Sequence, residues 1–377
     1  MVKKNVRLSV ILFLLLIIPN NKCIAGKSKN QQSPIVSLYN SKAQLSINLQ
    51  GAAIIDFELK ANPVNPFSWK LTNQQMPVNN QSGAAFQGHF LCLGRWGAPT
   101  AGEMKAGVPH NGQASRDLWT LLSIDKTTFL KMAVKAPLDG VSVERKVSMD
   151  KENAVFKVTE KVTNNTSVGR LFNVVQHATI APPFIDSTTI INSNATQGFL
   201  QSMCYPNPAA HEFVWPTAYA DSLHTPLDLT RSDSNLSYVS THIFADSIGW
   251  ITASSPYNGL LLGYYWKTKD YPWLNLWHQL VDSKLWAKGL EFGTTGIGQS
   301  YQDLLRVDTR FHGKNSFFFL DAKETVVKSY VCFLIPIPAN FKGVKQLYIN
   351  NKGIEIVEGD QKETRYVVQH NLILSTN

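Results

Sequence analysis

Residues 155–184 read VFKVTEKVTNNTSVGRLFNVVQHATIAPPF, and the reading of this stretch decides the fold class. Val155, Lys157 and Thr159 alternate with Phe156, Val158 and Glu160, the period-two pattern of a strand whose two faces differ. Asn164-Asn165-Thr166 reads as a turn, and Leu171 to Ile180 reads as a second extended run that Pro182-Pro183 ends. The segment therefore predicts a strand, an asparagine turn and a return strand carrying His177.

The same pattern repeats on both sides. Ala43 to Gln50 alternates, Gly51 breaks the run, and Ala53 to Leu59 returns. Leu118 to Ile124 and Thr127 to Val134 predict a hairpin about Asp125-Lys126, and Val141 to Met149 with Ala154 to Val162 predict another. Further strands are expected at 249–254, 259–267, 274–278, 306–311, 316–320, 326–335 and 346–349. Helix signals are scarce. This regular spacing predicts an all-β fold, a large antiparallel β-sandwich. Such a sandwich offers a broad sheet surface, and aromatic-lined concave surfaces suit sugar-sized ligands.

The amino terminus reads differently. Lys3, Lys4 and Arg7 precede an apolar run from Leu8 to Ile18, and Cys23-Ile24-Ala25 offers small residues for cleavage near Ala25. Residues 1–25 are thus expected to be a signal peptide, which places the protein in the periplasm or outside the cell. Residues 26–33 are polar and read as a disordered leash, and 34–377 as one domain without a linker or repeat. No later segment is apolar enough to span a bilayer.

The chain has 36 basic and 27 acidic residues, a formal charge of +9, and loss of Lys3, Lys4, Arg7 and Lys22 with the leader lowers this to about +5. The basic residues are scattered, with no arginine stripe, which argues against a nucleic-acid partner. Cys92, Cys204 and Cys332 remain, an odd and sparse set without metal-ligand spacing, so neither a disulfide framework nor a metal site is expected.

Four places have residues suited to chemistry. Gly94-Arg95-Trp96-Gly97 sets a guanidinium fork beside an indole, a pairing able to hold hydroxyls and back a sugar ring, or simply a surface arginine lying over an aromatic. Pro109-His110-Asn111-Gly112 holds a histidine in a loop, where binding groups concentrate on a rigid scaffold. His177 is either a satisfied core histidine or a general acid, since imidazole titrates near neutrality. The densest stretch is the fourth. Tyr271, Trp273, Asn275 and Trp277 are expected to share one strand face, as a sugar platform or as core packing. Glu291 follows between Leu290 and Phe292, and a carboxylate in an apolar run is usually paired or working.

These places follow the order found in a known family. VTNNTSVGRLFNVVQH resembles the segment of galactose mutarotase (aldose 1-epimerase) proteins in which a strand ending VTN returns to the acid histidine. Pro109-His110-Asn111-Gly112-Gln113-Ala114, followed by Trp119, resembles that family's P-H-G-x-A…W loop with one residue inserted. The family's H-P-Y-F is His177-Ala178-Thr179-Ile180 here, and its E-P-x-T is Glu291-Phe292-Gly293-Thr294. The likeness covers roughly residues 40 to 340 and implies a supersandwich fold, no cofactor and a small-molecule sugar substrate. It also implies Glu291 as base and His177 as acid, with His110 and Arg95 on sugar hydroxyls and Trp277 stacked on the ring. Asp246 and Asp270 are both candidates for a substrate-binding aspartate. The function expected is an exported aldose 1-epimerase-like isomerase. The alternative is a non-catalytic carbohydrate-binding protein of the same fold, and a hydrolase is less in keeping with the residues because Glu291 has no evident second carboxylate.

Overall fold

The computed structural model describes residues 34–221 and 225–374, so the leader and the leash lie outside the described residues. Two large antiparallel sheets dominate. The first has ten strands, and its central members in spatial order are His89–Leu93, Val174–Ile180, Lys284–Gly293, Trp273–Val281 and Tyr238–Phe244. The second has eight, centred on Leu260–Lys267, Thr325–Pro336, Val155–Asn164 and Val141–Met149. Among the described residues no helix is long and apolar enough to cross a membrane.

Strand periodicity builds the layers. Leu290 and Phe292 point into the space between the sheets, where they join Val174, Ala178 and Ile180 from the neighbouring strand. Val147, Phe156, Val158, Leu262 and Leu334 meet them from the eight-stranded sheet. Because successive side chains alternate, Val175, His177, Thr179, Gly289 and Glu291 belong to the opposite face of the ten-stranded sheet. A three-stranded sheet, Val344–Asn350, Gly353–Glu358 and Arg365–Gln369, packs Leu347, Ile354, Ile356 and Val368 onto the eight-stranded sheet's outer side at Trp250, Tyr265, Val331 and Phe333.

A polar chain crosses the apolar interior. Arg145 donates from Nε to Glu160 Oε1 at 2.8 Å and from Nη1 to the carbonyl of Ala52 at 2.7 Å. Glu160 Oε2 accepts from the amide of Gln176 at 2.7 Å, which ties the eight-stranded sheet to the histidine strand. Gln176 also meets Tyr271 Oη at 3.2 Å and His89 Nε2 at 3.3 Å.

Two expectations need correction. The strand ending at Asn164 and the strand carrying His177 are not hairpin partners but lie in different sheets. The segment between them is a crossover, because the Asn164 amide donates to the carbonyls of Val168, Leu320 and Asp321 and so anchors the exit toward a distant strand. Residues 306–311 form no strand. Asp308 instead accepts from the backbone and the guanidinium of Arg310, and such local bonds compete with a sheet ladder.

Arg145 and Glu160 are 3% and 1% exposed, so removing either partner strands a buried charge. Arg145→Leu or Glu160→Leu alone is expected to cost about 3–5 kcal/mol, read by urea unfolding. The double replacement is expected to recover much of the loss.

Candidate active site

The glutamate strand Lys284–Gly293 lies between the histidine strand and Trp273–Val281, so Glu291 and His177 reach the same face from adjacent strands. Glu291 Oε1 is 3.2 Å from His177 Nε2, and Glu291 Oε2 accepts a 3.0 Å hydrogen bond from Trp96 Nε1. The other ring nitrogen of His177 meets Thr179 Oγ1 at 2.9 Å. Space for the carboxylate comes from Gly289, where a Cβ would stand 2.6 Å from Glu291 Oε1.

Aromatic rings enclose the pair. Phe90 stacks on His177 with centroids 4.3 Å apart, Trp69 is near-parallel at 6.5 Å, and Trp277 meets the imidazole edge-on at 5.9 Å. Trp286 packs against both Trp69 and Trp277. Glu291 is 1% exposed. Burial raises its pKa to about 8, opposed by the Trp96 hydrogen bond. Burial lowers His177 to about 3, and the nearby His110 adds to the effect. Near neutrality the pair therefore holds one proton, favouring a carboxylic acid beside a neutral imidazole. Moving that proton across the 3.2 Å contact gives a carboxylate and an imidazolium without exchange with solvent.

No family model matches the sequence, and no curated protein does. Solved structures do. A galactose mutarotase related enzyme from Lactobacillus acidophilus is 11% identical, with a TM-score of 0.57 over 81% of this chain and 98% of that one. A galactose mutarotase-like protein from Clostridium acetobutylicum is 12% identical, with a TM-score of 0.56 over 81% and 96%. One from Lactobacillus casei is 14% identical, with a TM-score of 0.53 over 80% and 100%.

The chain has the galactose mutarotase-like fold.

Within that fold the expected site residues divide. Glu291, His177 and Trp277 converge. The backbone of His110 is bonded in both directions to the Asn80 side chain, and its ring lies 6.3 Å from that of Phe86. Burial, then the charge of Arg95, lowers His110 to about 4. Arg95 itself turns its fork onto Glu103 at 2.8 and 2.9 Å and lines a cavity of about 180 Å³ with Asp139, Arg170 and Tyr301. Asp246 accepts from Asn194, and Asp270 lies against Lys328 through its carbonyl.

Of the expected row, Trp273, Asn275 and Trp277 share the face of Glu291, opposite Gly293, Glu291 and Gly289, and Tyr271 does not. Tyr271 lies in the core between the sheets, bonded to Gln176, rather than on the strand face. Trp273 is buried with Phe199 and Phe311, and its indole donates to the carbonyl of Asn315. Asn275 is spent on Thr241 and Thr295. Only Trp277 of the four contacts His177 among the described residues. Sequence reading missed Trp69, Phe90, Trp286 and Thr179. Thr179 alone had a local signal, its i+2 spacing from His177 along one strand face.

A raised carboxyl pKa has a sign in stability. Between the unfolded value of 4.5 and the folded value of about 8, the unfolded chain has released the Glu291 proton and the folded one has not. Stability from this group is complete below pH 4.5 and is lost as pH rises toward 8. Urea unfolding of the protein and of Glu291→Gln from pH 5 to 9 is expected to show the parent losing ground to the variant. The slope should be about 1.4 kcal/mol per pH unit and flatten above pH 8. Parallel profiles would show Glu291 ionised at neutrality.

Proposed function

We propose that the protein interconverts the anomers of a free sugar by acid–base opening of the hemiacetal ring. The observation that carries this reading is the Glu291–His177 contact of 3.2 Å, a carboxyl and an imidazole on one aromatic-lined face. A sugar would separate the two, with its anomeric hydroxyl toward Glu291 and its ring oxygen toward His177. Glu291 then takes the hydroxyl proton while His177 delivers one to the ring oxygen, which breaks the bond between that oxygen and the anomeric carbon. Rotation about the bond next to the anomeric carbon and return of both protons give the other anomer. The active form needs Glu291 as carboxylate and His177 as imidazolium, the same proton count as the neutral pair. Trp277 supplies an apolar ring face for stacking, and His110 lies near enough to His177 to help keep its imidazole from protonating.

Freshly dissolved α-glucose, α-galactose and a panel of other aldoses, followed by polarimetry or by their anomeric proton signals, test this. At least one sugar should equilibrate faster with the protein, and Glu291→Gln or His177→Asn should remove about a hundredfold or more of that acceleration. Turnover unchanged in Glu291→Gln would overturn the assignment. Melting-temperature shifts without acceleration by any sugar would make the protein a carbohydrate-binding module of this fold. The reading includes export, supported by the basic and apolar pattern of residues 1–25. Mass spectrometry of the protein from its native cells should find an amino terminus near residue 26.

A further inference from the structure

The short loop Gly94–Gly97 is fastened at every residue. The Gly94 N–H donates to the Asn173 carbonyl at 2.9 Å, and the Gly94 carbonyl accepts from the Tyr301 hydroxyl. The Arg95 fork is closed by Glu103, whose other bonds cap the short helix Ala101–Lys105 through Thr100. The Gly97 N–H donates to Asn111 Oδ1 at 2.7 Å, and the Asn111 N–H returns a bond to the Gly97 carbonyl at 3.0 Å. Asn111 follows His110 directly, so the arginine loop and the histidine loop are fastened to each other. From this fixed frame the Trp96 indole reaches Glu291 Oε2 and leaves Oε1 for His177.

We infer that Trp96 is a positioning residue that dictates which oxygen of Glu291 accepts the sugar proton, and that Arg95 and Glu103 act on the reaction through Trp96. The inference rests on the acid–base reading of the pair but concerns a property of Glu291 measurable without any sugar. A carboxylate rotating freely about its terminal bond would present either oxygen to the substrate. One N–H donor on Oε2 removes that freedom and favours the ionised form that the base must reach. Few other charges face this carboxyl. His177 meets it from the histidine strand, the buried Cys92 thiol feels it from His89–Leu93, and the facing residue on Trp273–Val281 is the neutral Asn275. The Arg95 guanidinium is closed onto Glu103, so its effect on the base passes through the loop it holds.

The test is the titration of Glu291, followed by carbon NMR of protein labelled at the glutamate side-chain carboxyls, with Glu291→Gln identifying the resonance. Trp96→Phe keeps an aromatic ring and removes the N–H, and it is expected to move the midpoint upward by about one pH unit. Arg95→Met leaves Trp96 in place and is expected to move it the same way by a smaller amount. With a sugar that is turned over, both variants should lower kcat and shift the alkaline limb of its pH profile upward, since the pair holds its one proton to higher pH, with KM changed less than about twofold. A midpoint that stays at the parent value in Trp96→Phe overturns the inference. So does an Arg95→Met variant that raises KM for the sugar while Glu291 titrates as in the parent, because Arg95 would then touch substrate itself. Should Trp96→Phe fail to fold, Arg95→Met decides the matter alone. If no aldose is turned over, the titration still stands, so loss of the mutarotase reading and loss of this inference are separate results.

Discussion

The buried chain from Arg145 through Glu160 to Gln176 sets the alignment on which the site depends. An ion pair in an apolar interior adds little net stability, because desolvation offsets most of its attraction. Its geometric effect is larger. Gln176 must face inward to reach Glu160, and that obliges His177 to face outward. A slip of one residue would turn His177 into the core and leave Glu160 without its amide donor. Arg145 holds the same sheet a second time through the carbonyl of Ala52, in the turn just before the strand Ala53–Leu59.

The site opposes this logic. Inside the core the charges are paired, whereas on the outward face burial drives both members of the pair toward neutrality. The aromatic enclosure of Trp69, Phe90 and Trp277 brings this about by excluding water from a carboxyl and an imidazole that would otherwise be charged. The protein thus keeps the proton of the pair in the uncharged arrangement.

Most strands were legible because alternation and turn residues are local. The crossover after Asn164 was not, since the carbonyls that hold its side chain include Leu320 and Asp321, far along the chain. Asn-Asn-Thr reads the same whether the chain turns back or changes sheet. Glu291 and His177 stood out because polar groups in apolar strands are chemically conspicuous. Trp69 and Phe90 did not, as an aromatic facing a site and an aromatic facing a core have the same neighbours in sequence. The arginine fork was visible at Arg95, but its holder was overlooked. Thr100-Ala101-Gly102-Glu103 is a capping-box signal that places Glu103 in the first turn of a helix, within reach of the loop before it.

The three-stranded carboxyl-terminal sheet gives the molecule a back and a front. It seals the outer side of the eight-stranded sheet with its own apolar residues, while the aromatic pair-bearing surface belongs to the ten-stranded sheet across the sandwich. Sequence drift or an added segment on that back would be felt as packing and not as chemistry. The packing of the three-stranded sheet and the proton of the pair thus belong to opposite sides of the sandwich.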